Sequence, residues 1–177
     1  RAMEDGELRE KFGVALQNDF IYEDTIAENI RIGRDIPMED IRRAAEHAQA
    51  LEFIDALEDG FDHMLTTKGT NVSGGQRQRI LISRALAGHP EILLLDDSSS
   101  ALDYKTDANL RRALREHCTD TRATILVAQR ISAVMHCDHI LVIDEGEIVA
   151  AGTHEELLDC CEIYREIADS QLGGAFE

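Results

Sequence analysis

The sequence predicts an α/β fold, a parallel sheet interrupted by an all-helical region, and three observations predict it. The apolar runs "EILLLD", "ATILVAQ" and "HILVID" read as buried strands, and the helix-period stretch "YKTDANLRRALREHC" separates the first two in the βαβ rhythm of a parallel sheet. The stretch "MEDIRRAAEHAQALEFIDAL", Met38 to Leu57, spaces its apolar residues for helices and predicts two of them. Between these regions, "SGGQRQRILISRALAGHP" opens on a cap residue, Ser73, and stops at Gly88 and Pro90, which marks one well-bounded helix.

The remaining elements follow the same rules. "KFGVALQ" predicts a short buried strand ending on the polar Gln17, and "DTIAENIRIG" predicts a helix capped at Asp24 and stopped near Gly33. "EDGFDHMLTTKGTN" breaks the helical pattern with turn residues. "DEGEIVAAG" predicts a hairpin turning at Gly146, and "THEELL" offers Thr153 and Glu156 as a capping box for a last helix running, with a break, to about Ser170.

Composition narrows the function. A chain of 177 residues, 44% hydrophobic and 30% charged, can bury a core. Its 18 Lys+Arg against 35 Asp+Glu give a formal charge of -17, which repels nucleic acid and anionic lipid, so no nucleic-acid partner is expected. Any anion must be held locally. Cys118, Cys137, Cys160 and Cys161 show no CxxC spacing, so reduced thiols are expected, and "HCDH", His136 to His139, lacks the second ligand pair of a zinc site. No apolar run reaches the ~20 residues that cross a bilayer, so another segment or chain must supply any membrane contact.

Chemistry concentrates at one predicted edge. Ligands of open α/β sheets bind at the carboxyl ends of the strands, where Gln17, Asp96, Asp97 and Gln129 fall. Asp96 closes a buried strand and suits a Mg²⁺ ion that keeps most of its waters, while Asp97 points elsewhere because strand side chains alternate. Ser73, Gly74, Gly75 and Gln76 form a helix start able to hold phosphate. The same residues also read as a capping box that binds nothing, and both readings stand at this point.

In unbroken register, "NVSGGQRQRILISRALAGHPEILLLDDSSSALD" resembles the signature motif, helix, Walker B strand and D-loop of ATP-binding cassette (ABC) transporter nucleotide-binding domains of the exporter type, and "ALQNDFIYEDTIAENI" resembles their Q-loop. The resemblance implies a P-loop NTPase-like parallel sheet with an inserted all-helical signature subdomain. Over the chain it implies a core strand and Q-loop at 1–23, the helical subdomain at 24–74, the core with Walker B, D-loop and switch region at 75–152, and C-terminal helices at 153–177. It also implies that Gln17 senses metal and nucleotide, that Asp96 holds Mg²⁺, and that Ser73, Gly74, Gly75 and Gln76 face the γ-phosphate of ATP bound mainly by a second nucleotide-binding domain. Asp103 would lie in the D-loop at that interface, and transmembrane domains of an exporter would place the chain at the cytoplasmic face of the cell membrane.

The sequence departs from the family pattern in five places. No G-x-x-x-x-G-K-[ST] occurs and only 16 residues precede Gln17, so N-terminal strands and a phosphate loop are missing and an upstream segment is expected. Asp97 stands where the family usually has the glutamate that polarises the attacking water, one methylene shorter, so a weak base is expected. Gln129 stands at the switch histidine and can donate a hydrogen bond but not carry the imidazolium charge. Thr67 replaces a glutamate common before the signature, and Val72 a leucine. The residues acting on the chain's own nucleotide are altered and the signature is intact, which implies the degenerate-site subunit of a heterodimer. A soluble ABC-type ATPase of DNA repair or translation, or a non-catalytic interaction fragment, are the alternatives; the charge, "DTIAENI" and "GTHEELL" weigh against the soluble ATPase.

Overall fold

A computed structural model describes residues 5–17, 19–98, 100–117 and 123–172. Cys118, Ser99 and the tail from Gly173 lie outside them. The chain divides into two compact units, residues 1–127 and 128–177.

The first unit is built on three parallel strands in the order β1 (Phe12–Ala15), β2 (Ile92–Asp96) and β3 (Ala123–Val127). Phe12 is paired with Ile92, and Ile92 with Ala123, so all three strands run out at the same edge. Helix α1 (Asp5–Glu10) precedes β1, and α6 (Tyr104–His117) links β2 to β3 as the βαβ rhythm predicted. Between β1 and β2 the chain is helical, with α2 (Ile26–Arg31), α3 (Met38–His47), α4 (Leu51–Asp55), two 3₁₀ turns and α5 (Gly74–Leu86). Their apolar faces meet in one core with the sheet, in which Ile26, Ile30, Ile41, Ile54, Ile80 and Leu93 are fully buried.

The cap of α2 is Thr25, one residue later than the sequence pattern suggested. Its hydroxyl accepts from the Glu28 amide at 3.1 Å, while the Asp24 carboxylate takes the Thr25 amide at 2.7 Å. The helix stops where Ile32 and Gly33 both turn to positive φ, 52° and 70°. Helix α5 keeps its predicted start and lies hard against β1. A Cβ on Gly13 would stand 2.2 Å from the Ala85 carbonyl oxygen and 2.7 Å from Pro90 Cγ, so only glycine lets the end of this helix approach the strand.

The second unit contains α7 (Ile131–Val134), β4 (Ile140–Asp144), β5 (Glu147–Gly152), α8 (His154–Cys160) and α9 (Glu162–Leu172). "HILVID" forms a strand, and β4 pairs antiparallel with β5 in a two-stranded sheet. The reason is the turn between them: Glu145 and Gly146 take φ of 47° and 83°, the pair of positive values that closes a two-residue hairpin. The capping box of Thr153 and Glu156 forms as predicted, and the extended Cys161 breaks the last helix into α8 and α9. Ile131, Val142, Leu157, Tyr164 and Ala168 make this unit's core.

Candidate functional site

Because the strands are parallel, the ends of β1 and β2 deliver Gln17, Asp96 and Asp97 to one edge. The structure joins two of them directly: Gln17 Nε2 donates to Asp97 Oδ2 at 2.9 Å. Asp97 is fixed by its backbone as well. Its amide donates to the Val127 carbonyl at 2.9 Å, extending the β2–β3 ladder by one bond, and its carbonyl accepts from the Ser100 hydroxyl at 3.0 Å. Between these anchors Asp97 takes φ of 45°, a left-handed conformation that aspartate tolerates better than most side chains.

Asp96 ends β2 half-buried, opposite Val127. Two carboxylates and an amide oxygen are hard oxygen donors of the kind Mg²⁺ uses together with substrate phosphates, so the residues fit that ion. Among the described residues no group of three or more His, Cys, Asp or Glu side chains is placed to hold a metal by itself. Mg²⁺ needs no such cage, since one or two carboxylates are its usual protein share.

A second cluster surrounds the start of α5. Ser73 Oγ accepts from the Gln76 amide at 3.2 Å and Gln76 Oε1 accepts from the Ser73 amide at 2.9 Å, so the capping box is present in full. Its side-chain oxygens serve the helix, and any anion here would meet the backbone N–H groups of the first turn. The glycines have a further role. A Cβ on Gly75 would lie 3.0 Å from the Ala101 carbonyl oxygen, so the loop after Asp97 packs on this helix start. Arg79 ties the turn down, donating to the Gln49 carbonyl at 2.6 Å and lying 4.7 Å over the Phe53 ring.

Asp103 caps α6. Its carboxylate accepts from the Thr106 amide at 2.9 Å and the Thr106 hydroxyl at 2.7 Å, and these bonds hold it below the usual carboxylate range. Gln129 belongs to the second unit, two residues beyond β3. Its carbonyl accepts from Gln171 Nε2 at 2.8 Å. Thr67 is also partnered, because its hydroxyl donates to Glu23 Oε2 at 2.6 Å and so keeps a carboxylate beside the position where the family's glutamate was expected.

Sequence reasoning missed one residue that ties these parts together. Arg84, 6% exposed, reaches from α5 to the segment after Gln17: Nε donates to the Asn29 carbonyl at 2.7 Å, Nη2 to the Phe20 carbonyl at 2.9 Å, and Nη1 stands 3.5 Å from Asp19. Burial pulls its pKa down, while Asp19 and Tyr22 oppose that shift. The signal was present as a lone cation inside the apolar run "ILISRAL". Such a residue is buried only when paired.

Comparison with known proteins agrees with this architecture. The ABC transporter family matches residues 2–100. The chain is 47% identical over 165 residues to the ABC transporter ATP-binding protein YknU of Bacillus subtilis, covering 93% of this chain and 28% of that protein. It is 41% identical to the ATP-dependent lipid A-core flippase of Idiomarina loihiensis, covering 95% of this chain and 29% of the flippase. A solved bacterial Atm1-family ABC exporter with ATP bound superposes with a TM-score of 0.88 at 35% identity, covering 94% of this chain and 30% of the exporter chain. The chain thus spans less than a third of the length of these relatives. With a parallel sheet that presents Gln17, Asp96 and Asp97 at one edge and a capped SGGQ helix start, the chain belongs to the ABC transporter family, as a nucleotide-binding domain whose relatives include exporters.

Proposed function

We propose that this chain is part of the ATP-hydrolysing engine of an ABC exporter and forms the hydrolytically weakened half of a heterodimer. The observation that carries the reading is the hydrogen bond from Gln17 to Asp97 at the carboxyl edge of the sheet, beside Asp96. ATP is the substrate. Asp96 would hold Mg²⁺ with the help of Gln17, and the ion, when bound, neutralises charge on the transferred phosphoryl group.

The remaining roles belong to the chain's own groups. Asp97 would accept the proton of the attacking water, but its short side chain is already tied to Gln17 and withdrawn by about 1 Å relative to glutamate, a misplacement able to cost on the order of a hundredfold in rate. Gln129 would donate a neutral hydrogen bond to phosphate where a histidine would offer charge. The α5 start, Ser73 through Gly74, Gly75 and Gln76, would face the nucleotide of the second nucleotide-binding domain and offer it the Gly74 and Gly75 N–H groups, which the capping box does not engage, with Asp103 in the loop at that interface. On this reading the stretch 24–74 with the start of α5 is the signature-bearing subdomain.

The proposed partners are a second, different nucleotide-binding domain and the transmembrane domains of the exporter, with the chain at the cytoplasmic face of the membrane. No helix among the described residues is long and apolar enough to cross a membrane. Slow turnover at one site would hold ATP longer, keep the two domains closed and bias the transporter's conformational equilibrium through differential binding. The test is ATP turnover of the assembled transporter. Ser73→Ala should abolish the main activity and Asp97→Glu should add to it. Silencing of the whole assembly by Asp97→Ala would show Asp97 to be a competent base and end the two-site reading.

A further inference from the structure

The last helix of the second unit carries a polar residue that lies outside the nucleotide-facing set. Gln171, on α9, spans the backbone leading into α7. Its Oε1 accepts from the Ile131 amide at 2.8 Å and its Nε2 donates to the Gln129 carbonyl at 2.8 Å. One primary amide thus clamps the two consecutive peptide groups that flank Arg130, reached from 40 and 42 positions away in the chain.

The clamp answers a local need. Arg130, the N-cap of α7, supplies no side-chain hydrogen bond to the helix, and a helix of four residues has little internal bonding to fix its own start. Gln171 provides the missing acceptor, and the apolar packing of α9 beneath α7, with Ile131 and Ala168 both buried, sets its reach. The primary amides of asparagine and glutamine carry an acceptor and a donor side by side on one planar group whatever the pH, and glutamine has the longer stem.

We infer that Gln171 is a positioning residue for Gln129: it fixes the peptide of the switch position, so that the seating of α9 decides where the Gln129 side chain is presented. This rests on the proposed role of Gln129 as a phosphate-facing donor. The clamp acts on the backbone, so it would serve glutamine and histidine at position 129 alike.

The test uses the assembled membrane transporter loaded with radiolabelled Mg-ATP and chased with unlabelled nucleotide, reading the release rate of the retained label. Gln171→Leu should speed release roughly fivefold, the change that corresponds to one neutral hydrogen bond. Gln171→Glu keeps the acceptor for Ile131 but turns a carboxylate on the Gln129 carbonyl, so it should leave α7 capped and speed release as well. It also serves if the leucine variant does not assemble. In a Gln129→Ala background neither change should add anything, because the group they position is gone. An equal acceleration in both backgrounds, or none with Gln129 present, overturns the inference and leaves Gln171 a structural residue. If Gln129→Ala itself leaves release unchanged, the nucleotide-facing role of Gln129 fails, and this inference falls with it, a result distinct from the other two.

Discussion

Removing the Arg84 guanidinium should cost the first unit about 3 kcal/mol. Arg84→Met keeps much of the buried stem and deletes the fork, so the loss is that of its bonds. The two short ones, to the Asn29 and Phe20 carbonyls at 2.7 and 2.9 Å, are charge-assisted and worth roughly 1.5–3 kcal/mol each. The approach to Asp19 at 3.5 Å adds little, because that carboxylate is partly open to water. Relief from burying a cation offsets part of the total, which places the net near the lower end of the sum. Arg84→Lys should recover less than half of the loss, since a point charge cannot reach two carbonyls and a carboxylate at once. Urea unfolding of the wild type and both variants measures this. A loss below about 1 kcal/mol for Arg84→Met, or full recovery with lysine, would refute the claim that a bidentate fork joins α5 to the loop after Gln17.

Two further outcomes follow from single contacts. Gly13→Ala should destabilise by about 3 kcal/mol, the upper end of the usual overpacking range, because the added methyl meets the Ala85 carbonyl oxygen at 2.2 Å, a backbone atom that can yield only if α5 leaves the strand; urea unfolding with a loss under about 1 kcal/mol would show that the helix end is free to move. Thr106→Val should raise the pKa of Asp103 toward the ordinary carboxylate range, read by NMR titration of its side-chain carbon. Since the folded pKa is depressed, the cap contributes its stability above the unfolded carboxylate pKa and loses it as pH falls through the folded value, so the variant should lose less stability than the wild type on going from neutral to acid pH.

Much of this architecture was legible because local rules and tertiary packing agree. The α5 boundaries, the capping box at Thr153 and the turn at Gly146 are set by residues within a few positions, and the structure keeps all three. Pairing was harder to read. "HILVID" has the apolar content of a buried parallel strand, but its partner was decided by the neighbouring hairpin. The site was legible in part: strand ends place Gln17 beside Asp97, as the topology of a parallel sheet requires, yet Arg84 and Gln171 act across 64 and 42 positions, and no periodicity reports such contacts. The only local trace was a cation in an apolar run.

The left-handed backbone at Asp97 alters what its side chain can be taken to mean. A position with φ of 45° costs most L-residues roughly 1–2 kcal/mol, and aspartate is among the few that offset it with a short polar side chain. The conformation is imposed from both sides, by the bond to Val127 that ends the ladder and by the Ser100 hydroxyl that closes the turn, so a longer side chain cannot relax it. Aspartate therefore has a structural reason to stand here beside any catalytic one. Asp97→Glu consequently carries two effects of opposite sign, a carboxylate reaching further toward the attacking water and a turn that is harder to form. Only turnover normalised to folded, assembled transporter separates them: a gain per folded molecule assigns the short side chain a cost in catalysis, and no gain assigns it to the turn alone.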